Sequence, residues 1–368
     1  MGAGLDGGGE VVRLTPTYGY VLPPPLPGRS WFPTFNGNSQ YRLPDPVTGK
    51  ITSYTRASTV AKALEDTYML DAWAKRQMLM GMQRSLALTA ELDQIMEHRE
   101  AGTLTDNGLR EMLNAVADEA QLVAGSKSAA EFGTAVHEWC EWVDCSQGTV
   151  ADVPEQFRPW VAGHRQAMAR SGLSPDPHYT ERVVLNTRYG IAGTIDRIFA
   201  CPDGVMRMGD IKTSRTMDFS WLYFSIQLAI YHGADFVRSI DGMAWEPMPA
   251  LDPHVALISH LPREDPDASH IVPINLAFGQ EALHTAMTVR RLRSRAPKEV
   301  RSVRYAVSSE DTREHRRRTA LGLLETCHTQ ADMAELWTEY QDIWTDDLTK
   351  TGLELLLLRQ ATQRNATR

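Results

Sequence analysis

The chain has 368 residues, of which 42% are hydrophobic and 23% are charged. This composition supplies a sizeable folded core and excludes wholesale disorder. The net charge of −8 argues against a protein that binds nucleic acid over its whole surface. No stretch approaches the ~20 consecutive apolar residues of a membrane span. The glycine-rich start lacks the regions of a signal peptide, so we expect a cytoplasmic protein with no membrane partner.

The first third of the sequence predicts an arm followed by helices. Residues 1–50 are rich in glycine and proline, which predicts an extended arm or loosely packed strands. Helical periodicity follows over about 58–82 and about 86–123. The segment Ser128-Ala129-Ala130-Glu131 has the pattern of a capping box at a helix start. Residues 152–155 resemble a second helix start, because proline suits the first turn.

The middle of the sequence changes to strands. Three strands are predicted over about 179–185, 191–201 and 205–213. A long helix is predicted over about 218–237. Two further strands are predicted over about 255–261 and about 271–276, and a final helical region is predicted from about 279 onward. This order predicts an α/β fold, with a mixed central sheet flanked by helices and helical additions at both ends.

We expect four regions along the chain. They are an N-terminal Gly/Pro-rich arm over 1–55, a helical region over 56–125, a core over 126–290 and a C-terminal helical region over 291–368. The four cysteines form no C-x-x-C pair, and their number and spacing predict free thiols rather than disulfides or a metal cluster. They are Cys140, Cys145, Cys201 and Cys327.

A tight turn at Pro202-Asp203-Gly204 brings two acidic residues together. Glycine tolerates the left-handed conformation at the end of a three-residue hairpin loop. With Asp203 at the centre, Asp196 and Asp210 face each other with Cβ atoms about 4.5–5.5 Å apart, although a β-bulge would shift this register by one. Their apolar neighbours indicate burial, and buried facing carboxylates need compensation. A divalent cation such as Mg²⁺ is the simplest one.

Lys212 follows on the same strand. Strand alternation places it on the same face as Asp210 and turns Ile211 to the other face. The chain has seven lysines against 31 arginines, so an ammonium group at this position is noticeable. It could orient a water molecule and stabilise negative charge on phosphorus. Taken alone, an Asp-x-Lys sequence is more often an ordinary surface ion pair, but Asp196 at hairpin distance favours a functional site.

Four further residues are candidates for the same site. On the helix that begins at Ser128, His137 could coordinate Mg²⁺ or Mn²⁺ through a neutral imidazole, or it could be a core histidine. Gln227 and Tyr231 share one helix face and could support the lysine or bind phosphate, although a half-buried amphipathic helix explains the same spacing. Glu181 is expected opposite about residue 195, as a further ligand or as a partner of the ligands.

Four short motifs occur in one order along the chain. They are Gly133-Thr134-Ala135-Val136-His137, Gly193-Thr194-Ile195-Asp196, Asp210-Ile211-Lys212-Thr213 and the pair Gln227 and Tyr231. In order and element type, the set resembles the PD-(D/E)XK nuclease superfamily. More narrowly, it resembles the RecB-type and CRISPR-associated exonuclease branch, as found in phage recombination exonucleases. The resemblance covers about residues 125–240, and Tyr54–Arg76 resembles the N-terminal helix of such proteins more loosely.

The resemblance implies a restriction-endonuclease-like fold and a set of roles. His137, Asp196 and Asp210 would be metal ligands, with the carbonyl of Ile211 as a further one. Lys212, Asp210 and Asp196 would be catalytic, and the Gln227 and Tyr231 side chains would support the site or contact DNA. Many relatives hold an iron–sulfur cluster on four cysteines. The cysteines here are spaced differently, so we expect Mg²⁺ or Mn²⁺ and no cluster.

The expected function is that of a metal-dependent DNA exonuclease in phage-type recombination or DNA repair, in a bacterium or a phage-infected host cell. The expected partners are DNA, a single-strand annealing protein and further copies of the chain. Residues 290–318 carry eleven Arg/Lys against four Asp/Glu and could contact the DNA backbone or form a solvated helix face. The alternatives are a catalytically silent DNA-binding or partner-binding protein with a nuclease fold, and a DNA endonuclease.

Overall fold

The chain divides into two units, Met1–Arg293 and Ser294–Arg368. Two mixed β-sheets form the centre of the first unit. The structure is a computed structural model that describes residues 13–29, 31–302 and 309–366. The chain is α/β, with mixed sheets flanked by helices, which confirms the predicted class.

The strands are β1 (Arg13–Leu14), β2 (Val21–Leu22), β3 (Thr34–Phe35), β4 (Tyr41–Pro44), β5 (Ile51–Arg56), β6 (Ser174–Pro175), β7 (Arg182–Asn186), β8 (Ile191–Ile195), β9 (Arg197–Ala200), β10 (Met206–Lys212), β11 (Phe236–Arg238), β12 (Trp245–Pro247), β13 (Val255–His260) and β14 (His270–Asn275). The helices are α1 (Ala57–Ala61), α2 (Tyr68–Arg84), α3 (Leu86–Glu100), α4 (Asp106–Val123), α5 (Ser128–Asp144), α6 (Arg158–Arg170), α7 (Trp221–His232), α8 (Leu276–Ser302), α9 (Ser309–Leu324), α10 (Gln330–Tyr340) and α11 (Asp346–Ala366).

The larger sheet has seven strands in the order β12-β11-β7-β8-β5-β4-β3, and β5 runs parallel to β8. The second has five strands in the order β14-β13-β10-β9-β6, and β10 runs parallel to β13. Strands β1 and β2 pair as a separate antiparallel ribbon. The arm predicted over residues 1–55 therefore contributes three strands, β3 to β5, to the larger sheet, while residues 1–12 lie outside the described residues.

One predicted strand is divided in two. The expected strand over 191–201 becomes β8 in the seven-stranded sheet and β9 in the five-stranded sheet, and Asp196 lies between them. The carboxylate Oδ2 of Asp196 accepts a hydrogen bond of 2.7 Å from the backbone N–H of Ile211. The Asp196 carboxylate thus accepts a hydrogen bond from the backbone of β10 at the point where the chain passes from one sheet to the other.

The predicted hairpin register is confirmed. The β9–β10 ladder pairs Ala200 with Met206 and Arg197 with Gly209, as a hairpin centred on Asp203 requires. Gly204 has a φ of +78°, in the left-handed region that this turn needs. The ladder ends at Arg197 and Gly209, so Asp196 bonds to Ile211 instead of continuing the ladder to Asp210.

The five-stranded sheet has helices on both faces. On one face, Ile211 is buried among Val136 and Trp139 of α5. On the other face, Met208 is buried in a cluster that includes Ile226 of α7. This alternation along β10 assigns Asp210 and Lys212 to the α7 face, and the Lys212 Nζ lies 5.4 Å from the centre of the Phe224 ring on α7.

Three sequence predictions of helix ends need correction. Helix α5 begins at Ser128 as predicted, but its capping box is absent, because Glu131 accepts hydrogen bonds from the backbone N–H groups of Thr17 and Tyr18. The second helix begins at Arg158, after a short 3₁₀ turn, instead of near residue 152. Helix α7 ends at His232 instead of near residue 237, because the chain turns at Gly233 into β11.

The second unit contains α9, α10 and α11 around a small apolar cluster. Three arginines of its basic segment pair with carboxylates of the same unit: Arg316 with Asp342, Arg317 with Asp347 and Arg318 with Glu314. These exposed pairs are typical of a solvated helix face. Residues 303–308 of the basic segment lie outside the described residues. Among the helices of the described ranges, none has both the length and the apolar content to cross a bilayer.

Helices α2 and α4 pack unusually closely, and this contact can be tested. A Cβ atom on Gly81 would lie 1.7 Å from the backbone oxygen of Ala120. Gly81→Ala should therefore separate the helices and destabilise the fold, although alanine favours an isolated helix by about 1 kcal/mol. The matched control is Gly322→Ala on α9, where a Cβ would meet nothing within 4 Å, and this change should stabilise. Urea unfolding followed by circular dichroism measures both, and a stable Gly81→Ala variant would contradict the packing.

Candidate metal centre

Helix α5 carries His137 and closely approaches the end of β10. A Cβ atom on Gly133 would lie 2.5 Å from the Oγ1 atom of Thr213, so glycine lets the helix and the strand come this near. Ile211 anchors the same contact from the strand side, since it is buried among residues of α5. The first predicted motif therefore lies directly against the third.

Strands β7 and β8 place Glu181 opposite Asp196. The ladder between these strands ends with Arg182 paired to Ile195. The next backbone N–H, that of Glu181, donates a hydrogen bond of 2.9 Å to the Asp196 carbonyl. The sequence predicted Glu181 opposite about residue 195, and the one-residue difference brings its carboxylate directly to the aspartate.

Three side chains form a group that could bind a metal. One ligand atom from each of His137, Glu181 and Asp196 lies within 4.8 Å of those of the other two, and the His137 Nδ1 is 3.5 Å from the Asp196 Oδ2. One imidazole nitrogen with two carboxylates is a donor set that suits Mn²⁺ and Mg²⁺. The side chains of His137 and Asp196 are 23% and 15% exposed, so an ion can reach them.

Asp210 and Lys212 form an ion pair beside this group. The Lys212 Nζ lies 2.5 Å from the Asp210 Oδ2, which confirms that both side chains lie on one face of β10. Asp210 is 1% exposed, and within the described part of the chain its Oδ1 has no hydrogen-bond partner. Asp210 is not one of the three grouped residues, so its role as a ligand, and that of the Ile211 carbonyl, stay predictions.

The ionisation of these groups reflects a concentration of negative charge. Burial, opposed by the charge of Asp196, lowers the pKa of His137 to about 4, so its imidazole is neutral at pH 7. Burial and the charge of Asp196 raise the pKa of Asp210 to about 7 and that of Glu181 well above its usual value. Burial alone would raise the pKa of Asp196, but His137, Lys212 and Arg197 outweigh it and lower that pKa. An added cation would relieve this repulsion.

The group opens into a cleft of about 740 Å³. His137, Glu181, Asp196 and Lys212 all line it. The cleft is in the size range of ligand sites in proteins, about 300–1,000 Å³. It is therefore larger than an ion requires, and it can admit part of a substrate beside the ion.

Gln227 and Tyr231 lie at a neighbouring cavity. The Gln227 Nε2 donates a hydrogen bond of 3.1 Å to the Tyr231 hydroxyl, as their spacing on one face of α7 predicts. A Cβ atom on Gly193 would lie 2.4 Å from the Tyr231 ring, so the glycine of the second motif admits this ring. Both residues line a cavity of about 350 Å³, and Thr194 lines both this cavity and the cleft. Their support of Lys212 or contact with DNA stays a prediction.

Sequence reasoning missed a buried ionic network next to the cleft. Arg197 and His164 are completely buried, and both contact the Asp144 Oδ2, at 2.8 and 3.0 Å. The His164 Nδ1 lies 2.8 Å from the Ser259 Oγ. The sequence could have indicated the position of Arg197, because successive side chains of a strand point to opposite faces and Arg197 directly follows Asp196. The partners of Arg197 come from distant segments, and no local pattern indicates them.

A second missed pair is Arg29 with Glu141. The Arg29 Nη1 forms an ion pair with Glu141 Oε1, and its Nη2 donates to the carbonyl oxygens of Thr180 and Glu181. Glu141 is four residues after His137 on α5, which places it on the same helix face. Nothing in the Gly/Pro-rich arm singles out Arg29.

No protein-family model matches the chain, and no curated protein matches it. The arrangement of side chains therefore carries the functional argument.

The buried network predicts a large effect of a single substitution. Asp144→Asn removes the anion that faces Arg197 and should destabilise the protein by about 3–5 kcal/mol, because it leaves a buried guanidinium without its counter-charge. The matched control is Glu264→Gln, which removes the partner of Arg215 in an exposed pair and should change stability little. Denaturant unfolding measures both variants, and equal stabilities would contradict the role of the network.

His164 predicts a pH dependence of stability. Burial, opposed by Asp144, lowers the pKa of His164 below its usual value. The unfolded chain therefore takes up a proton near pH ~6.5 that the folded chain does not, and stability is lost as the pH falls through this value. His164→Gln should be less stable than the wild type at neutral pH, and the difference should shrink towards pH ~5. A constant difference across this range would contradict a neutral buried imidazole.

Proposed function

We propose that this chain is a metal-dependent DNA nuclease that hydrolyses phosphodiester bonds and acts at DNA ends. The observation that carries the proposal is the group of His137, Glu181 and Asp196 beside the Lys212 ammonium, all on one cleft. Carboxylates with an imidazole suit a divalent cation, and a lysine suits the charge that develops on a transferred phosphate.

The arrangement of motifs supports a restriction-endonuclease-like core. The third motif lies on β10, and the first lies on α5, which packs against the end of that strand. The second motif ends at Asp196, which bonds to the backbone of β10. Action at DNA ends follows from the resemblance of the four motifs to the exonuclease branch of the superfamily.

The residues of the site have distinct roles in the proposed reaction. His137, Glu181 and Asp196 would hold Mg²⁺ or Mn²⁺, and Asp210 would be a further ligand. When bound, the ion would polarise the scissile phosphate and lower the pKa of water beside it. Lys212 would orient the attacking water and offset negative charge on the phosphate oxygens as the P–O bond to the leaving oxygen breaks. Asp210, at 2.5 Å from the Lys212 Nζ, holds the ammonium in place.

The proposed partners follow from this chemistry. The substrate is DNA, and the proposed context is phage-type recombination or repair with a single-strand annealing protein. The basic segment over residues 290–318 is a weaker candidate for DNA contact, because four of its described arginines, Arg295, Arg316, Arg317 and Arg318, already pair with carboxylates.

Lys212 provides the test of catalysis. Lys212→Ala should lower the turnover of linear DNA with Mn²⁺ by about 10²–10³-fold, the usual effect of removing one group that stabilises transition-state charge. The affinity for Mn²⁺ should change far less than the turnover, because the lysine is not a ligand. The matched control is Lys50→Ala in the exposed turn between β4 and β5, which should leave turnover unchanged.

Asp210→Asn should abolish cleavage while leaving the fold intact, and covalently closed circular DNA should resist the wild type. Cutting of circles would favour an endonuclease. Inertness of the folded wild type towards every DNA substrate with either metal would overturn the catalytic proposal in favour of a DNA-binding or partner-binding protein.

A further inference from the structure

The N-terminal arm forms part of the wall of the cleft. Pro24, Leu26, Arg29 and Phe32 line it together with the metal-binding group. The arm is fastened to α5, because the Trp139 Nε1 donates a hydrogen bond of 3.0 Å to the carbonyl oxygen of Val21 in β2. The arm is thus held against the helix that carries His137.

A reverse turn sets the position of Arg29. In the sequence Leu26-Pro27-Gly28-Arg29, the Arg29 N–H donates a hydrogen bond of 3.2 Å to the Leu26 carbonyl, and Gly28 has a φ of +79°. Proline followed by a glycine with positive φ is typical of a type II turn. The turn directs the Arg29 side chain into the protein, where it is 15% exposed.

Arg29 joins three groups around Glu181. Its guanidinium forms an ion pair with Glu141 on α5 and donates to the carbonyl oxygens of Thr180, at 3.2 Å, and Glu181, at 3.4 Å. A guanidinium suits this task, because its donors form a rigid planar fork. A lysine ammonium could keep the ion pair but could not reach both carbonyl oxygens in the same way.

The backbone of Glu181 needs such support. Its φ is +50°, in the left-handed region that is unfavourable for a glutamate. The Glu181 N–H donates to the Asp196 carbonyl, and the Glu181 carbonyl accepts from Arg29. The strained residue is therefore held on both sides, and in this conformation its carboxylate meets His137 and Asp196.

We infer that Arg29 is a positioning residue for the metal centre, which fixes Glu181 in the conformation that binds a divalent cation. The inference rests on the metal site of the proposed function, and it makes the N-terminal arm part of that site. Arg29 does not itself ligate the ion, since a cation does not bind a guanidinium.

The sign of the effect separates positioning from simple electrostatics. Arg29 is a positive charge near a cation site, so its removal would strengthen Mn²⁺ binding if charge alone mattered. If Arg29 positions Glu181, its removal weakens Mn²⁺ binding. Loss of a group that orients a metal ligand typically costs about 10–100-fold in affinity.

The test is Mn²⁺ titration of the metal-free full-length chain by calorimetry, in the wild type, Arg29→Ala and Arg29→Lys. The control is Arg42→Ala, which removes the same charge from an exposed position on β4. We expect both Arg29 variants to bind Mn²⁺ about 10–100-fold more weakly, and Arg42→Ala to bind like the wild type. The Arg29→Lys variant can keep the ion pair with Glu141, so it should still fold if Arg29→Ala does not. Thermal unfolding in the presence of EDTA measures whether each variant is folded.

Three results would overturn the inference, and only the last of them would also overturn the proposed metal centre. Wild-type or tighter Mn²⁺ binding by folded Arg29→Lys or Arg29→Ala would leave the metal centre standing and refute only the role of Arg29. A purely structural role would lower the thermal midpoint without changing the affinity for Mn²⁺, which has the same consequence. Absence of Mn²⁺ binding by the wild type would refute both this inference and the proposed metal centre.

Discussion

The crowding of carboxylates around Asp196 is the constraint on which the rest of the site depends. Asp196 lies where the chain leaves the seven-stranded sheet and enters the five-stranded sheet. At this break its backbone carbonyl accepts from Glu181 and its carboxylate accepts from Ile211. One residue thus connects the start of β7 to β10 and brings a second carboxylate close to its own, and such crowding of like charges is unfavourable unless a proton or a cation offsets it.

Positive charge is distributed around this cluster from several directions. Lys212 pairs with Asp210 on the α7 face of β10, and Arg29 pairs with Glu141 from the arm. Arg197, which lies directly after Asp196, is fully buried on the α5 and α6 side with Asp144. Its Nε and Nη2 atoms have no hydrogen-bond partner in the described part of the chain. The charge of Arg197 also helps to lower the pKa of Asp196, so the buried network favours the ionised form of this carboxylate.

The sequence predicted the parts of the site that depend on local geometry. The turn at Gly204 fixed the β9–β10 register, and strand alternation placed Lys212 beside Asp210. The sequence did not predict the break at Asp196, because the segment from 191 to 201 contains no glycine or proline after Gly193 to mark it. Asp210 is absent from the observed group because the β9–β10 ladder ends at Gly209, so that the Asp196 carboxylate bonds to the Ile211 N–H while Asp210 pairs with Lys212.

Contacts between distant segments were outside the reach of local patterns. The guanidinium of Arg29 meets groups that are more than a hundred residues away in the sequence, and the imidazole of His164 meets a serine on another element. Such pairs depend on the finished packing of the sheets and helices. The motif glycines are an exception. Gly133 and Gly193 each leave room for a side chain from a distant segment, so a glycine at these positions indicates a close contact there.

Protons explain how the chain can fold with these carboxylates together. The pKa of Asp210, raised to about 7 by burial and by Asp196, leaves this group partly protonated at neutral pH, and the pKa of Glu181 is raised well above its usual value by the same causes. A proton on either carboxyl removes much of the repulsion that Asp196 exerts on it. Because a metal ion binds the deprotonated form, metal binding at the proposed centre would release such protons. The proton and a divalent cation would therefore be alternative partners for one cluster, and the cluster would stay compatible with the fold in both cases.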